Sequence, residues 1–181
     1  MIQKIVQSGD PLLRLTCKPV TQIDKKIKAI IKDLKDTLSV QIDPEGVGLA
    51  APQIGKNLRI FVVGYKNLKR VVINPEIIKI EPRLSVSKDD IKKQSKKPEI
   101  LEGCLSLPYY YGPLKREGLV KIKYLNEDGC EVVEEFKGFN AQIILHEIDH
   151  LNGILFIDHL LEQNKKLFKL SETDEWEEVE I

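Results

Sequence analysis

Between residues 140 and 153 the chain runs NAQIILHEIDHLNG, and Ile143, Ile144, Leu145, Ile148 and Leu151 surround the polar positions almost completely. A helix that is apolar all round is a buried helix. The ionisable groups it carries must therefore be paired or must hold a metal. A second helix is predicted over residues 24–40, where Ile23, Ile27, Ile30, Ile31, Leu34 and Leu38 recur at helical spacing. Lys25, Lys26, Lys28 and Lys32 take its other side, so this one lies amphipathic on the outside. Runs rich in valine and isoleucine predict strands at 59–63, 70–73 and 76–80, separated by Gly64, Asn67, Asn74 and Pro75. Two more, 119–125 and 130–136, flank Asn126-Glu127-Asp128-Gly129, a hairpin signal. Strands grouped in one stretch with a helix at each end describe an α+β domain with antiparallel sheets.

One segment breaks this texture. GVGLAAPQIG, residues 46–55, holds three glycines and two alanines in ten positions. Small residues let another backbone come close, so the segment is expected to be extended and to face a ligand.

Composition limits what can be built on this pattern. A chain of 181 residues with 42% hydrophobic and 31% charged residues fits one soluble globular domain with a core of its own. Its formal net charge of zero gives no global field for nucleic acid. No apolar run approaches the roughly 18 residues that a spanning helix needs, and the start, MIQKIVQSGD, lacks a basic region followed by an apolar one. The expectation is a cytoplasmic protein without a membrane partner. Cys17, Cys104 and Cys130 are odd in number and widely spaced, which argues against a disulfide framework. Residues 85–98 carry Lys88, Lys92, Lys93, Lys96 and Lys97 and are expected to form an exposed insertion with no specific nucleic-acid partner. From residue 172 the chain is acidic, with Glu172, Asp174, Glu175, Glu177, Glu178 and Glu180. The expected organisation is one catalytic domain over 1–171 and a solvated acidic tail over 172–181.

The chemistry lies in the buried helix. His146 and His150 are four residues apart, which stacks their imidazoles on one face within reach of a single ion. Glu147 leaves that face at an angle suited to a water molecule beside the ion, the place of a general base in a metallohydrolase. A third ligand is missing from the helix. Metallopeptidases with a third histidine six residues after the second have a counterpart of Gly153, but here that histidine position is Phe156, and the only methionine is Met1. A glutamate from residue 172 onward is an alternative, though a tail is a poor place for a ligand. Cys104, in Glu102-Gly103-Cys104-Leu105-Ser106, is the better candidate, in a segment that reads as neither hairpin tip nor helix.

Taken together, GVGLAAPQ at 46–53, EGCLS at 102–106 and HEIDH at 146–150 resemble, in order and spacing, the three motifs of peptide deformylases. The resemblance takes in roughly residues 1–160. It implies antiparallel β-sheets wrapped around a central metal-binding helix, with an N-terminal amphipathic helix. It implies Cys104, His146 and His150 as metal ligands and Glu147 as general acid and base. The Gln53 side-chain amide and the Leu105 backbone N–H then stabilise the oxyanion. Gly46, Val47, Gly48 and Gly103 pair with an extended substrate, while Phe139, Ile143 and Val47 wall a methionine pocket. Glu102 and Arg116 form a buried ion pair that steadies the cysteine segment.

The implied reaction removes the formyl group from an N-formylmethionyl peptide and releases formate. Two imidazoles and a thiolate suggest Zn²⁺ by ligand type, whereas the resemblance implies Fe²⁺, with Ni²⁺ or Co²⁺ as substitutes and Zn²⁺ as a poorer one. A transient ribosome contact through the lysines of 85–98 is a further expectation. A peptidase cleaving internal bonds, or a structural metal module, would fit the histidine pair alone. The absent third downstream ligand and methionine turn count against the first, and Glu147 with Gln53 against the second, because a structural site needs neither.

Overall fold

The computed structural model describes residues 1–82 and 101–180, so the lysine-rich insertion expected at 85–98 lies outside the described residues. A five-stranded antiparallel sheet, in the order β1-β2-β3-β6-β7, is built from Gly48–Ala50, Ile60–Tyr65, Leu68–Glu81, Leu119–Leu125 and Glu131–Lys137. In the IFVV run of β2, Ile60 and Val62 face one side and Phe61 and Val63 the other, and all four are buried. Such a run is what a strand covered on both faces requires.

Helix α1, Lys25–Leu38, covers the first face. Asp24 caps it by accepting from the Ile27 N–H at 2.9 Å, and Ile27, Ile30, Ile31, Leu34 and Leu38 pack on Leu49, Ile60, Val62, Val71 and Ile73. Helix α2, Phe139–Leu151, covers the second. Its Ile144, Ile148 and Leu151 meet Ala50, Phe61, Val72, Val120 and Ile122. The metal-helix candidate is thus held in the interior, as its apolar surround predicts. A shorter helix, α3 at Phe156–Glu162, packs Phe156 and Leu160 against Cys104 and Leu167 of a second, four-stranded sheet and against the nearby Leu114. That sheet has the order β4-β5-β8-β9, from Glu102–Cys104, Leu107–Gly112, Leu167–Leu170 and Trp176–Val179.

Four expectations are corrected. The runs at 70–73 and 76–80 belong to one long strand, β3: Asn74 at φ 51° and Pro75 make a register shift against β6 and not a chain reversal. The Asn74 side chain secures it, accepting from the Val20 N–H and donating to the Val20 carbonyl, both at 2.8 Å. Residues 46–55 are extended only as far as Ala50, and Ala51–Ile54 turn into a 3-10 helix that carries Gln53. The cysteine segment is a hairpin after all, with Cys104 opposite Leu107 and Leu105-Ser106 as its loop. Lastly, the segment from residue 172 is no free tail: it turns and returns as β9, pairing Trp176 with Leu170 and Glu178 with Phe168, while its carboxylates stay exposed. Val179 fixes this strand by packing on the Leu167 cluster. No helix among the described residues is long and apolar enough to cross a membrane.

Candidate active site

Three elements meet at one cleft of about 280 Å³. The β1 approach supplies Gly46, Val47 and Gly48, and the turn after it Gln53. The β4 hairpin supplies Glu102, Gly103, Cys104 and Leu105, and α2 supplies Phe139, Ile143, His146 and Glu147. His150 lies one helical turn below His146, buried, with its ring 4.9 Å from the His146 ring. Every residue that the sequence nominates is therefore brought together, though the elements are far apart in the chain.

Cys104, His146 and His150 each offer a ligand atom, and the three atoms lie within 4.8 Å of one another. Cys104 Sγ is 3.2 Å from His150 Nε2. His146 Nδ1 is 2.7 Å from Glu102 Oε1, so a proton on Nδ1 turns the free Nε2 lone pair inward. Burial alone would raise the Cys104 thiol, yet the two histidines outweigh it and hold the group well below its ordinary value, as a thiolate ligand needs. The Ser106 N–H also donates to this sulfur, at 3.4 Å. Soft sulfur, two imidazoles and a preset tautomer fit one divalent transition-metal ion.

Glu147 stands next to this cluster without belonging to it. One of its oxygens, Oε2, is buried and has no partner among the described residues. Burial pushes its carboxyl up to about 7, and a carboxyl so placed takes and returns a proton readily. Space for it depends on Gly48, where any Cβ would come within 2.4 Å of Oε1. Gly48 thus leaves the room that this carboxylate occupies.

Gln53 is oriented by its own turn. Its Oε1 accepts from the Ala50 N–H at 2.8 Å, which leaves Nε2 facing Cys104 Sγ at 3.5 Å and Ser106 Oγ at 3.2 Å. Glu102 is held harder still. Arg116 donates to it through Nε at 3.0 Å and Nη2 at 2.6 Å, Gln142 adds a bond at 3.0 Å, and Arg116 Nη1 reaches Asp149 Oδ2 at 2.6 Å. Burial would raise the Glu102 carboxyl, but Arg116 and His146 leave it well below the usual carboxylate range.

Sequence reasoning missed several neighbours. Tyr109 and Tyr111 of β5 line the cleft, as do Pro44 and Glu45, and Asp149 continues the Arg116 network to His159 Nε2 at 3.0 Å. The Tyr109-Tyr110-Tyr111 run was the one available signal, since aromatics clustered outside a core pattern commonly line a binding surface.

Comparison with known proteins agrees with this geometry. A family model described as polypeptide deformylase matches residues 2–166. The peptide deformylase of Thermotoga maritima is 39% identical over 170 residues, covering 91% of this chain and 94% of that protein. That of Pseudothermotoga lettingae is 42% identical over 158 residues, covering 87% and 82%. The crystal structure of the Thermotoga maritima enzyme superposes with a TM-score of 0.75 at 40% identity, over 88% of this chain and 97% of that one. The Synechococcus elongatus peptide deformylase, solved in complex with actinonin, gives 0.75 at 33% identity over 90% and 82%. A cleft built from a Cys/His/His cluster, a buried glutamate and an oriented glutamine is thus found in a chain that belongs to the polypeptide deformylase family, the metal-dependent hydrolases that remove the formyl group from formylmethionyl nascent polypeptides.

Proposed function

We propose that this chain deformylates with Cys104, His146 and His150 holding one divalent ion, Glu147 moving the proton, and Gln53 and the Leu105 N–H receiving the developing negative charge. The observation that carries this assignment is the unpartnered Glu147 oxygen beside three ligand atoms that lie within 4.8 Å of one another. When bound, the ion supplies Lewis acidity, polarising the formyl oxygen and bringing the pKa of water toward about 7. Glu147 takes the proton of the attacking water at Oε2. The carbonyl oxygen gathers charge as its carbon becomes tetrahedral, and Gln53 Nε2 and the Leu105 N–H donate to it there. Glu147 then gives its proton to the leaving nitrogen, so formate and a free amino terminus result. Val47, Phe139 and Ile143 form the apolar wall that takes the methionine side chain, and Gly46, Gly48 and Gly103 let the peptide backbone pair as an added strand.

Formate release from a formyl-Met peptide, with metal-stripped protein as control, tests the assignment, and equal rates with and without metal would end it. Gln53→Leu is expected to lower kcat by about 10²–10³-fold with metal content intact, as for loss of one oxyanion donor. Loss of metal from that variant would show instead that Gln53 serves the Cys104 thiolate.

The native ion is Fe²⁺ in this reading. Cys104, His146 and His150 would hold either ion, and an ion less bound to four ligands than zinc would supply its Lewis acidity to water and carbonyl alike. Apoprotein rebuilt with Fe²⁺ under anaerobic conditions is expected to turn over faster than with Zn²⁺, to decay in air, and to be steadier with Ni²⁺; Co²⁺ serves as a substitute. An equal or faster zinc enzyme would overturn the iron assignment and leave the reaction standing. The work is placed in the cytoplasm, where nascent chains emerge, with a transient ribosome contact through Lys88, Lys92, Lys93, Lys96 and Lys97. In this proposal the catalytic domain runs past the expected boundary at residue 171 and takes in β9.

A further inference from the structure

The solvent face of the second sheet carries more aromatic surface than a free face needs. Register places Tyr111 opposite Phe168 and Trp176 opposite Leu170, and the Tyr111 and Trp176 rings meet edge to face with centroids 5.6 Å apart. Trp176 is 50% exposed and Tyr109 41%. The other face of the same strands explains the stability of the hairpin by itself, because Leu167 and Val179 pack there on Phe156 and Leu160. Trp176 is thus not required by the core. The stripe is continuous with the cleft: Tyr109 and Tyr111 line it, and the Tyr111 ring lies so close over Gly103 that a Cβ there would come within 2.5 Å of it. The family match ends at residue 166, and both Phe168 and Trp176 lie beyond it.

We propose that Tyr111 and Trp176, brought together by the C-terminal β8-β9 hairpin, form a subsite for an aromatic side chain carried by the third or fourth residue of the formylated peptide. The inference rests on the deformylase reading of the cleft. An extended peptide advances about 3.3 Å per residue, so a chain anchored by its formyl-methionine passes out of the cleft over Gly103 and the Tyr111 ring within that length. Rings that already pair edge to face offer a third ring the same geometry. Because the contact is made alike before and during the chemical step, it acts on KM and not on kcat.

The test uses the metal-loaded enzyme and three substrates: formyl-Met-Ala-Ala-Ala and the two tetrapeptides with phenylalanine at the third or fourth position. In the wild type one phenylalanine peptide is expected to have the higher kcat/KM, through KM. Trp176→Ala is expected to lower that preference about 3- to 10-fold, and Trp176→Phe to retain most of it. An unchanged preference in Trp176→Ala, or an equal loss on the all-alanine peptide, would overturn the subsite. Trp176 is the only tryptophan, so its emission gives a second readout that needs no turnover. It should change on titration with the preferred phenylalanine peptide and not with the all-alanine one. No change with either, or a change with protein concentration alone that marks a second copy on this face, counts against the proposal. Failure of every peptide to be deformylated, with the emission change intact, would strike the reaction assignment instead.

Discussion

Glu147→Ala is expected to keep its metal and lose formate release by up to about 10⁴-fold, the upper range for removal of a positioned acid and base. The two halves of that result have separate structural reasons. Metal is retained because the ligand atoms belong to Cys104, His146 and His150, and the bond that orients His146 comes from Glu102. Turnover is lost because the other carboxylates of the cleft are unlike Glu147: Glu102 is fully engaged by Arg116, Gln142 and His146, and Glu45 is exposed to solvent. Glu147 alone among the described residues presents a buried carboxylate oxygen without a partner. Metal content by elemental analysis, set beside formate release, decides the matter. A variant that loses its ion, or that keeps near wild-type activity, would remove Glu147 from its assigned role.

The site was legible in the sequence because its helix states its own geometry. Two histidines at i and i+4 share a face whatever surrounds them, and the isoleucines and leucines around them say that the face is buried. Alternation in the LVKIKYL run of β6 and the Asn126 to Gly129 turn gave the β6-β7 hairpin for equally local reasons. The second sheet was illegible for the opposite reason. β4 has three residues, β8 and β9 have four each, and β9 is the acidic run WEEV. Strands so short have no period to detect, and they exist because partners from distant segments pair with them. The cysteine hairpin was hidden in the same way, since Leu105-Ser106 lacks the Asn-Gly or Asp-Gly pair that announces a two-residue turn. At Asn74-Pro75 the local signal was real but was misassigned. Asparagine at positive φ followed by a proline that cannot donate looks like a chain reversal, and only the pairing with β6 on both sides of it, Ile73 with Leu125 and Glu76 with Lys123, shows that the strand continues through it.

Arg116→Met is expected to be the most damaging single change to stability, because its guanidinium neutralises the buried Glu102 carboxylate and the partly buried Asp149 carboxylate at once. The Arg116 and Glu102 side chains are 7% and 4% exposed, and Arg116 donates to both Glu102 and Asp149. Removing one partner from such an arrangement leaves charge buried without compensation and costs about 3–5 kcal/mol. Adding Glu102→Met to Arg116→Met is expected to return part of that loss, because the uncompensated Glu102 carboxylate is gone and a side chain of similar volume fills its place. Metal affinity should move the other way. The double variant also lacks the acceptor that fixes His146 Nδ1, a supporting bond whose loss weakens metal binding by about 10–100-fold. Urea midpoints and metal titrations on the two variants separate these effects. Should the double variant prove less stable than Arg116→Met, the buried-charge account of this network fails. Should both bind metal as tightly as the wild type, Glu102 does not hold the histidine for its ion.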